Sequence, residues 1–363
     1  MRIPEPCFDH LHRLSDSAGV LEHAWYAIPR RSCGYTTDDV ARALIVVCRE
    51  PSPPRSLVEL AGVYLSFLLH AHEDGRYHNR LTFDRKWADS PVSGDCHGRA
   101  IWALGIAARH GPTQWVTDSA RFLFEQSARL DTAYPRPHAY AALGYAEMLA
   151  AEPSNSRLRE LLEHTAQVLP RPANDQFWPW PEARLTYDNA RLPQALLCAG
   201  ETLKDSVLVA DGLRLLEWLV HIETHRNHFS FAPVGGWDLS EPRPGFDQQP
   251  LEAAAMADAC LTAWRVTTDD RWLDYVQNAA QWFLGANDIG TALYDFETGG
   301  CRDGLSAHGA NQNQGAESTL AALTAFAQAR TAAEYQTAAA PTNASRSSAS
   351  PIVPAPTARS AAP

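Results

Sequence analysis

The sequence predicts an all-α fold, an (α/α)6 barrel or six-hairpin toroid, on three observations. Helical segments that are apolar around nearly their whole circumference alternate six times with amphipathic ones; short motifs return at equivalent places in that alternation; and strand-like alternation is scarce. A helix apolar on all sides has to be buried on all sides, whereas one with a charged face lies at the surface. Two concentric rings of helices satisfy both kinds at once. At 363 residues, 45% hydrophobic and 20% charged, the chain is long enough to bury such a core.

In chain order, the inner set is expected at Asp39 to Arg49, His97 to Arg109, His138 to Ala151, Asn189 to Thr202, Leu251 to Val266 and Ala316 to Arg330. Their starts lie about 40 to 65 residues apart, room for one helical hairpin and a functional loop per repeat. The outer set falls at Leu57 to His70, Thr117 to Arg129, Ser156 to Val168, Asp205 to Thr224 and Arg271 to Leu284, with a further candidate around Phe8 to Ser17. One barrel domain over residues 1–330 follows. After Arg330 the composition shifts to Ala, Pro, Ser and Thr with few large apolar residues, so 331–363 is expected to be a disordered tail.

Two echoes support the repeat. Thr37-Asp38-Asp39-Val40-Ala41-Arg42 returns as Thr186-Tyr187-Asp188-Asn189-Ala190-Arg191, and Gln249-Pro250-Leu251-Glu252-Ala253-Ala254 is mirrored by Gln314-Gly315-Ala316-Glu317-Ser318-Thr319. Each opens an inner helix, at the first, fourth, fifth and sixth places in turn.

Composition narrows the function. A net charge of -11 without a Lys/Arg cluster argues against nucleic acid as a partner. No run approaches a transmembrane length, the N-terminus lacks the apolar core of a signal peptide, and seven scattered cysteines fit reduced thiols, so a cytoplasmic protein with no membrane partner is expected. Eleven tryptophans serve either core packing or the stacking of sugar rings.

The loops leading into the inner helices should converge at one mouth of the barrel, and they concentrate carboxylates, amides and aromatics, the equipment of carbohydrate recognition. Asp39 and Asp188, on the first and fourth inner helices, should stand on opposite sides of the ring. Flanking a sugar, they would supply general acid/base chemistry; alternatively they cap their helices and pair with Arg42 and Arg191. Asp95, Asp247 and Glu317 are further catalytic candidates. Glu317, like Glu252, sits in a helix first turn, where the macrodipole favours an acid and a hydrogen bond to a neighbouring loop is the competing role. Candidate sugar contacts are Tyr35, Asp38, Arg80, His97, Arg99, His138, Trp178, Trp180, Tyr187, Gln249, Asp303, Asn313 and Gln314. Trp178 and Trp180 make either a stacking platform or a lid on the core. There is no Gly-rich phosphate loop, and no cofactor is expected. Cys96-His97-Gly98 is similar to the zinc-binding element of the lanthionine cyclases, also α-toroids. Their second cysteine motif is absent, Cys301 is a poor substitute, and no metal is expected.

Several motifs carry a family resemblance: Tyr35 to Asp39, Asn79 to Asp84, Asp95 to Arg99, Phe246 to Pro250, Trp282 to Asp288, and Thr298 to Gly304 with Asn313 to Ser318. Together they resemble bacterial six-hairpin glycosidase-like proteins, often labelled glycosyltransferases and associated with mannoside phosphorylases. The resemblance runs from Cys33 to Arg330 and implies an (α/α)6 fold and carbohydrate chemistry. Val40 departs from it, standing where an Asn like Asn189 is expected. The leading expectation is a glycoside hydrolase acting on a short, mannose-containing oligosaccharide. A sugar epimerase of the acylglucosamine-epimerase kind is the second reading, with His97 and His138 as paired bases. A non-catalytic carbohydrate-binding or transferase-associated protein is the third.

Overall fold

Small side chains on helices apolar all round allow helix axes to approach closely, and the chain uses this to close a ring. In the computed structural model, which describes residues 2–339, twelve helices follow one another: α1 (Asp9–Leu14), α2 (Thr37–Arg49), α3 (Arg55–Ala71), α4 (Asp95–His110), α5 (Gln114–Ser127), α6 (Pro135–Ala151), α7 (Ser156–Val168), α8 (Arg191–Leu203), α9 (Ser206–Glu223), α10 (Pro250–Thr267), α11 (Arg271–Phe283) and α12 (Ala316–Ala339). The even-numbered helices pack in succession, and α12 returns against α2 to close the inner ring. The odd-numbered helices from α3 to α11 pack outside, each on the inner helix before it, and short α1 packs on α12. The fold is an (α/α)6 toroid.

Burial follows the same division. On α10 every residue from Pro250 to Ala263 is buried, whereas α5 buries only Val116, Ala120, Leu123, Phe124 and Ser127, a single stripe. Within the ring, α4 and α6 approach backbone to backbone. A Cβ on Gly144 would lie 2.5 Å from the Ile101 carbonyl oxygen, and one on Gly105 would lie 2.5 Å from that of Gly144. Only glycine lets these two backbones meet.

The strands are all two residues long and lie in the loops between helices: β1 (Ala24–Trp25) with β2 (Ile28–Pro29), β3 (Tyr35–Thr36) with β6 (Arg80–Leu81), β4 (His72–Glu73) with β5 (Arg76–Tyr77), β7 (Thr224–His225) with β8 (His228–Phe229), and β9 (Leu305–Ser306) with β10 (Gly309–Ala310), all antiparallel. The pairing of Tyr35 with Leu81 and of Thr36 with Arg80 ties the approach to α2 to the loop before α4.

One boundary differs from expectation. Thr331–Ala339 continues α12 instead of beginning a tail, because Ala332 is buried and Tyr335 stacks on Trp264 with ring centroids 4.1 Å apart. The rest of the expected tail lies outside the described residues. Among the described residues no helix is long and apolar enough to cross a membrane.

Gly144→Ala should force the α4 and α6 backbones apart and destabilise the protein by about 1–3 kcal/mol, read as a lowered denaturation midpoint. An unchanged midpoint would show that the contact is not tight.

Candidate active site

The mouth of the ring is built first from the start of α2. The Thr36 hydroxyl caps the helix by accepting the Asp39 amide at 3.1 Å, and it donates to the Asp39 carboxylate at 2.8 Å. Arg42, one turn further in, donates to Asp39 at 2.9 Å and to Glu317 of α12 at 2.8 Å. Asp38 faces another way. Its Oδ2 accepts from the Asn79 amide group at 3.0 Å, and its Oδ1 accepts from Arg99 of α4 at 2.6 Å.

Arg99 joins both sides of the ring. Besides Asp38, it donates to the Tyr140 hydroxyl of α6 at 2.6 Å and lies 3.5 Å from Asp188, while Tyr140 donates to Asp188 at 2.6 Å. Asp95 stands 3.6 Å from Arg99 and accepts the Tyr187 hydroxyl at 2.7 Å. Asp188 itself has φ 50, a left-handed turn before α8, and Glu252 of α10 holds that turn by accepting the amides of Asp188 and, at 3.0 Å, Asn189. Below it, Arg191 donates to Asp188 at 3.2 Å and to Asp258 at 2.6 Å, and Asp258 also accepts from Arg49 and Gln328.

These surroundings push neighbouring acids in opposite directions. Burial alone would raise the pKa of Asp38, but Arg99 and Arg42 overcome it and hold the carboxyl below its usual range. Asp188 is likewise lowered, with Arg191 and Arg99 outweighing burial. Burial raises Asp39 to about 6, because Arg42 compensates only in part and Glu317 adds a second negative charge. Burial and the proximity of Asp188 raise Glu252 as well.

A cavity of about 30 Å³ lies on the axis among Arg42, Arg99, Trp102, Asp188, Asp258 and Glu317. It is water-sized, too small for a sugar ring. Access to the site is therefore through the exposed edges at the mouth: the side chains of Asp38 and Glu317 are 19% and 36% exposed, against 5% for Asp39 and 2% for Asp188. Larger cavities of about 730 and 680 Å³ open at the opposite end of the inner helices, where they reach Arg49 and, in the second, Trp102 and Asp258, and one of about 700 Å³ opens between α6 and α7.

Of the residues expected at the site, Asp38, Asp39, Asp95, Arg99, Tyr187, Asp188 and Glu317 come together in this network. Asp39 and Asp188 each make the i,i+3 pair with the arginine of their motif. The carboxylates linked across the ring are Asp38 and Asp188, and what lies between them is Arg99.

The other candidates are placed elsewhere. His97 is turned outward, its Nε2 2.7 Å from the Ser127 carbonyl, and burial lowers its pKa to about 4. His138 lies 2.9 Å from the Thr132 carbonyl and beside His164, in the crevice between α6 and α7. Tyr35 is buried and donates to Asp16 at 2.7 Å, and Arg80 pairs with Glu22 at 3.0 and 3.2 Å. Trp180 is buried and stacks on Trp218; Trp178 is half-buried against Trp218 and Trp237, so both serve as a lid on the core.

Asp303 accepts the Gly315 amide and the Ser318 hydroxyl at the start of α12. Gln314 is taken up by Asp295 and Thr298, and Asn313 accepts the Tyr26 amide. Asp247 is exposed, and Gln249 is half-buried at the start of α10, making no side-chain cap. Among the described residues no three His, Cys, Asp or Glu side chains gather as a metal site.

Nothing local in the sequence marks Tyr140, a mid-helix tyrosine, and Asn79 stands out only as part of the Asn79 to Asp84 motif. Asp258, deep in an alanine-rich helix, was also missed; a lone acid in an otherwise apolar segment is a usable signal for a buried partner.

No family model and no curated protein sequence matches the chain. Solved structures do. A sugar epimerase from a ruminal bacterium is similar with a TM-score of 0.68 at 13% identity, over 89% of this chain and 95% of that one. The cellobiose 2-epimerase of Spirochaeta thermophila follows at 0.63 and 12% identity, over 88% and 92%. The GH76 α-mannanase of Bacteroides thetaiotaomicron is similar at 0.63 and 11% identity, over 90% and 93%. All three share the toroid, and at these identities the likeness is one of fold.

Arg99→Ala would leave the half-buried Asp38 without its hydrogen-bonded cation and the buried Asp188 with Arg191 alone, and should destabilise the protein by about 3 kcal/mol. Urea denaturation of the variant reads this directly, and a loss under 1 kcal/mol would show the network to be solvent-screened.

Proposed function

We propose that the protein is a glycoside hydrolase acting on a short, mannose-containing oligosaccharide, with Asp39 as the proton-carrying acid and Asp38 as the ionised base or nucleophile. The observation that carries this reading is the unlike surroundings of two consecutive carboxylates at the ring mouth: Asp38 lies 2.6 Å from Arg99, which favours its charged form, whereas Asp39 is buried and shares Arg42 with Glu317, which raises its pKa to about 6. One acid protonated and one ionised is the division of labour that glycosidic cleavage needs. Glu317, the most exposed of the group, contacts the sugar and shares Arg42 with Asp39. Asp188 positions the cluster through Arg99 and Tyr140. The mannose assignment rests on the family resemblance and on the mannanase among the structural neighbours.

A sugar epimerase is the second reading, favoured by the fold likeness to epimerases. It requires two bases on opposite faces of an open-chain sugar. The histidines available for that role, His97 and His138, face the outer helices, and none lines the axial cavity.

An acid that must be protonated works below its pKa, so activity should fall about tenfold per pH unit above roughly pH 6, with an acid limb only at a pH below the ordinary carboxylate range, where Asp38 is neutralised. Asp39→Asn and Asp38→Asn should each lower turnover by about 10²–10⁴, measured as reducing-end release from manno- and gluco-oligosaccharides. Full turnover in both variants would exclude the assignment. Incorporation of solvent deuterium at a sugar carbon, without reducing-end release, would establish the epimerase instead.

A further inference from the structure

The mouth carries an aromatic rim that the catalytic assignment does not use. β1 and β2 form a hairpin in which Ala24 pairs with Pro29 and Trp25 with Ile28, leaving Tyr26-Ala27 as its turn. Trp25 is 60% exposed and Tyr26 56%, and their rings meet edge to face with centroids 6.4 Å apart. Neither ring belongs to the hydrophobic core. Tyr26 also has φ 51, at a turn position where glycine is the usual residue. A bulky aromatic held in the left-handed region and turned to solvent costs stability and returns no packing.

The hairpin is clamped to the site from both sides. The Tyr26 amide donates to the Asn313 side chain at 3.0 Å, and its carbonyl accepts the Gln314 amide at 2.9 Å. The Glu22 carbonyl accepts the Ala316 amide at 3.0 Å, and the next residue is Glu317. The Glu22 carboxylate meanwhile holds Arg80 on β6, whose partner β3 leads into Asp38 and Asp39. The aromatic tip is thus pinned between the two loops that deliver Asp38, Asp39 and Glu317.

We infer that Trp25 and Tyr26 form a sugar-stacking subsite for a pyranose unit beyond the one at Asp38 and Glu317, so that the chain takes a saccharide of two or more units. This rests on the carbohydrate reading of the site. Flat aromatic faces fit the C–H faces of a pyranose, and the hairpin is tied to the segment that leads into Glu317 by two backbone–backbone hydrogen bonds and one from the Tyr26 amide to the Asn313 side chain. The chemistry shared by the candidates is a neutral sugar ring; its identity is left to the probe.

The test is binding, measured by calorimetry on the full chain and independently of turnover, with mannose, mannobiose, mannotetraose, glucose, cellobiose and cellotetraose. The unaltered protein should bind a tetrasaccharide more tightly than its monosaccharide. Trp25→Ala and Tyr26→Gly should each weaken the tetrasaccharide roughly two- to tenfold and leave the monosaccharide unchanged, and Tyr26→Phe should restore binding. Because glycine relieves the positive φ, Tyr26→Gly should not lower the denaturation midpoint, which separates loss of a subsite from loss of fold. Unchanged tetrasaccharide binding in both variants overturns the proposal, as does the absence of any length preference. A change in oligomeric mass in Trp25→Ala with unchanged sugar binding also overturns it, by making the hairpin a contact between copies. Failure of the hydrolase assignment reads out separately, in the turnover of Asp38→Asn and Asp39→Asn.

Discussion

The site depends on one shared guanidinium. Arg99 is almost wholly buried, yet it meets Asp38 from α2, Tyr140 from α6 and Asp188 from the turn before α8. A charge in that position is tolerated only if its hydrogen bonds are taken up and its charge is balanced. Four successive inner helices or their approaches must therefore stay in register around it. The same guanidinium is the chief cation lowering the pKa of Asp38 and, second to Arg191, lowers that of Asp188, so the architecture and the chemistry of the mouth are coupled through it.

Around it, arginines and carboxylates alternate from mouth to axis. Arg42 sits between Asp39 and Glu317, Arg99 between Asp38 and Asp188, and Arg191 between Asp188 and Asp258, where Arg49 joins from the far end. Asp39 stands out because it is more deeply buried than Asp38 and the arginine it shares with Glu317 offsets that burial only in part. That sharing and its burial leave it protonated at a pH where Asp38, one residue away, is charged. Side chains of consecutive helical residues point about 100° apart, so adjacent acids can occupy different electrostatic surroundings.

Much of the fold was legible because helical periodicity is a local property. The inner helices are apolar all round, as on α10, and the expected boundaries fall within a few residues of those found, except where Tyr335 and Ala332 carry α12 onward. The site was legible only in part. The recurrence of T-x-D-x-A-R marked two helix starts that do converge, and Asp95, Arg99 and Glu317 joined them. His97, Trp180 and Gln314 looked equally suitable by residue type but point into Ser127, Trp218 and Asp295. A polar or aromatic residue at a helix mouth can face the axis or the outer shell, and spacing along one strand of sequence does not distinguish the two.

By itself, then, the sequence determined the alternation of buried and half-buried helices, their number and order, and the concentration of polar loops before the inner ones, since each follows from short-range pattern. Only the tertiary structure decided which of those polar groups share a partner. Arg99, Asp38, Tyr140 and Asp188 are brought together by ring closure, and a pKa depends on distance through space. Two aspartates adjacent in the chain thereby acquire opposite tendencies, and a tyrosine at a hairpin turn comes to be pinned to Asn313 and Gln314, just before the helix that carries Glu317.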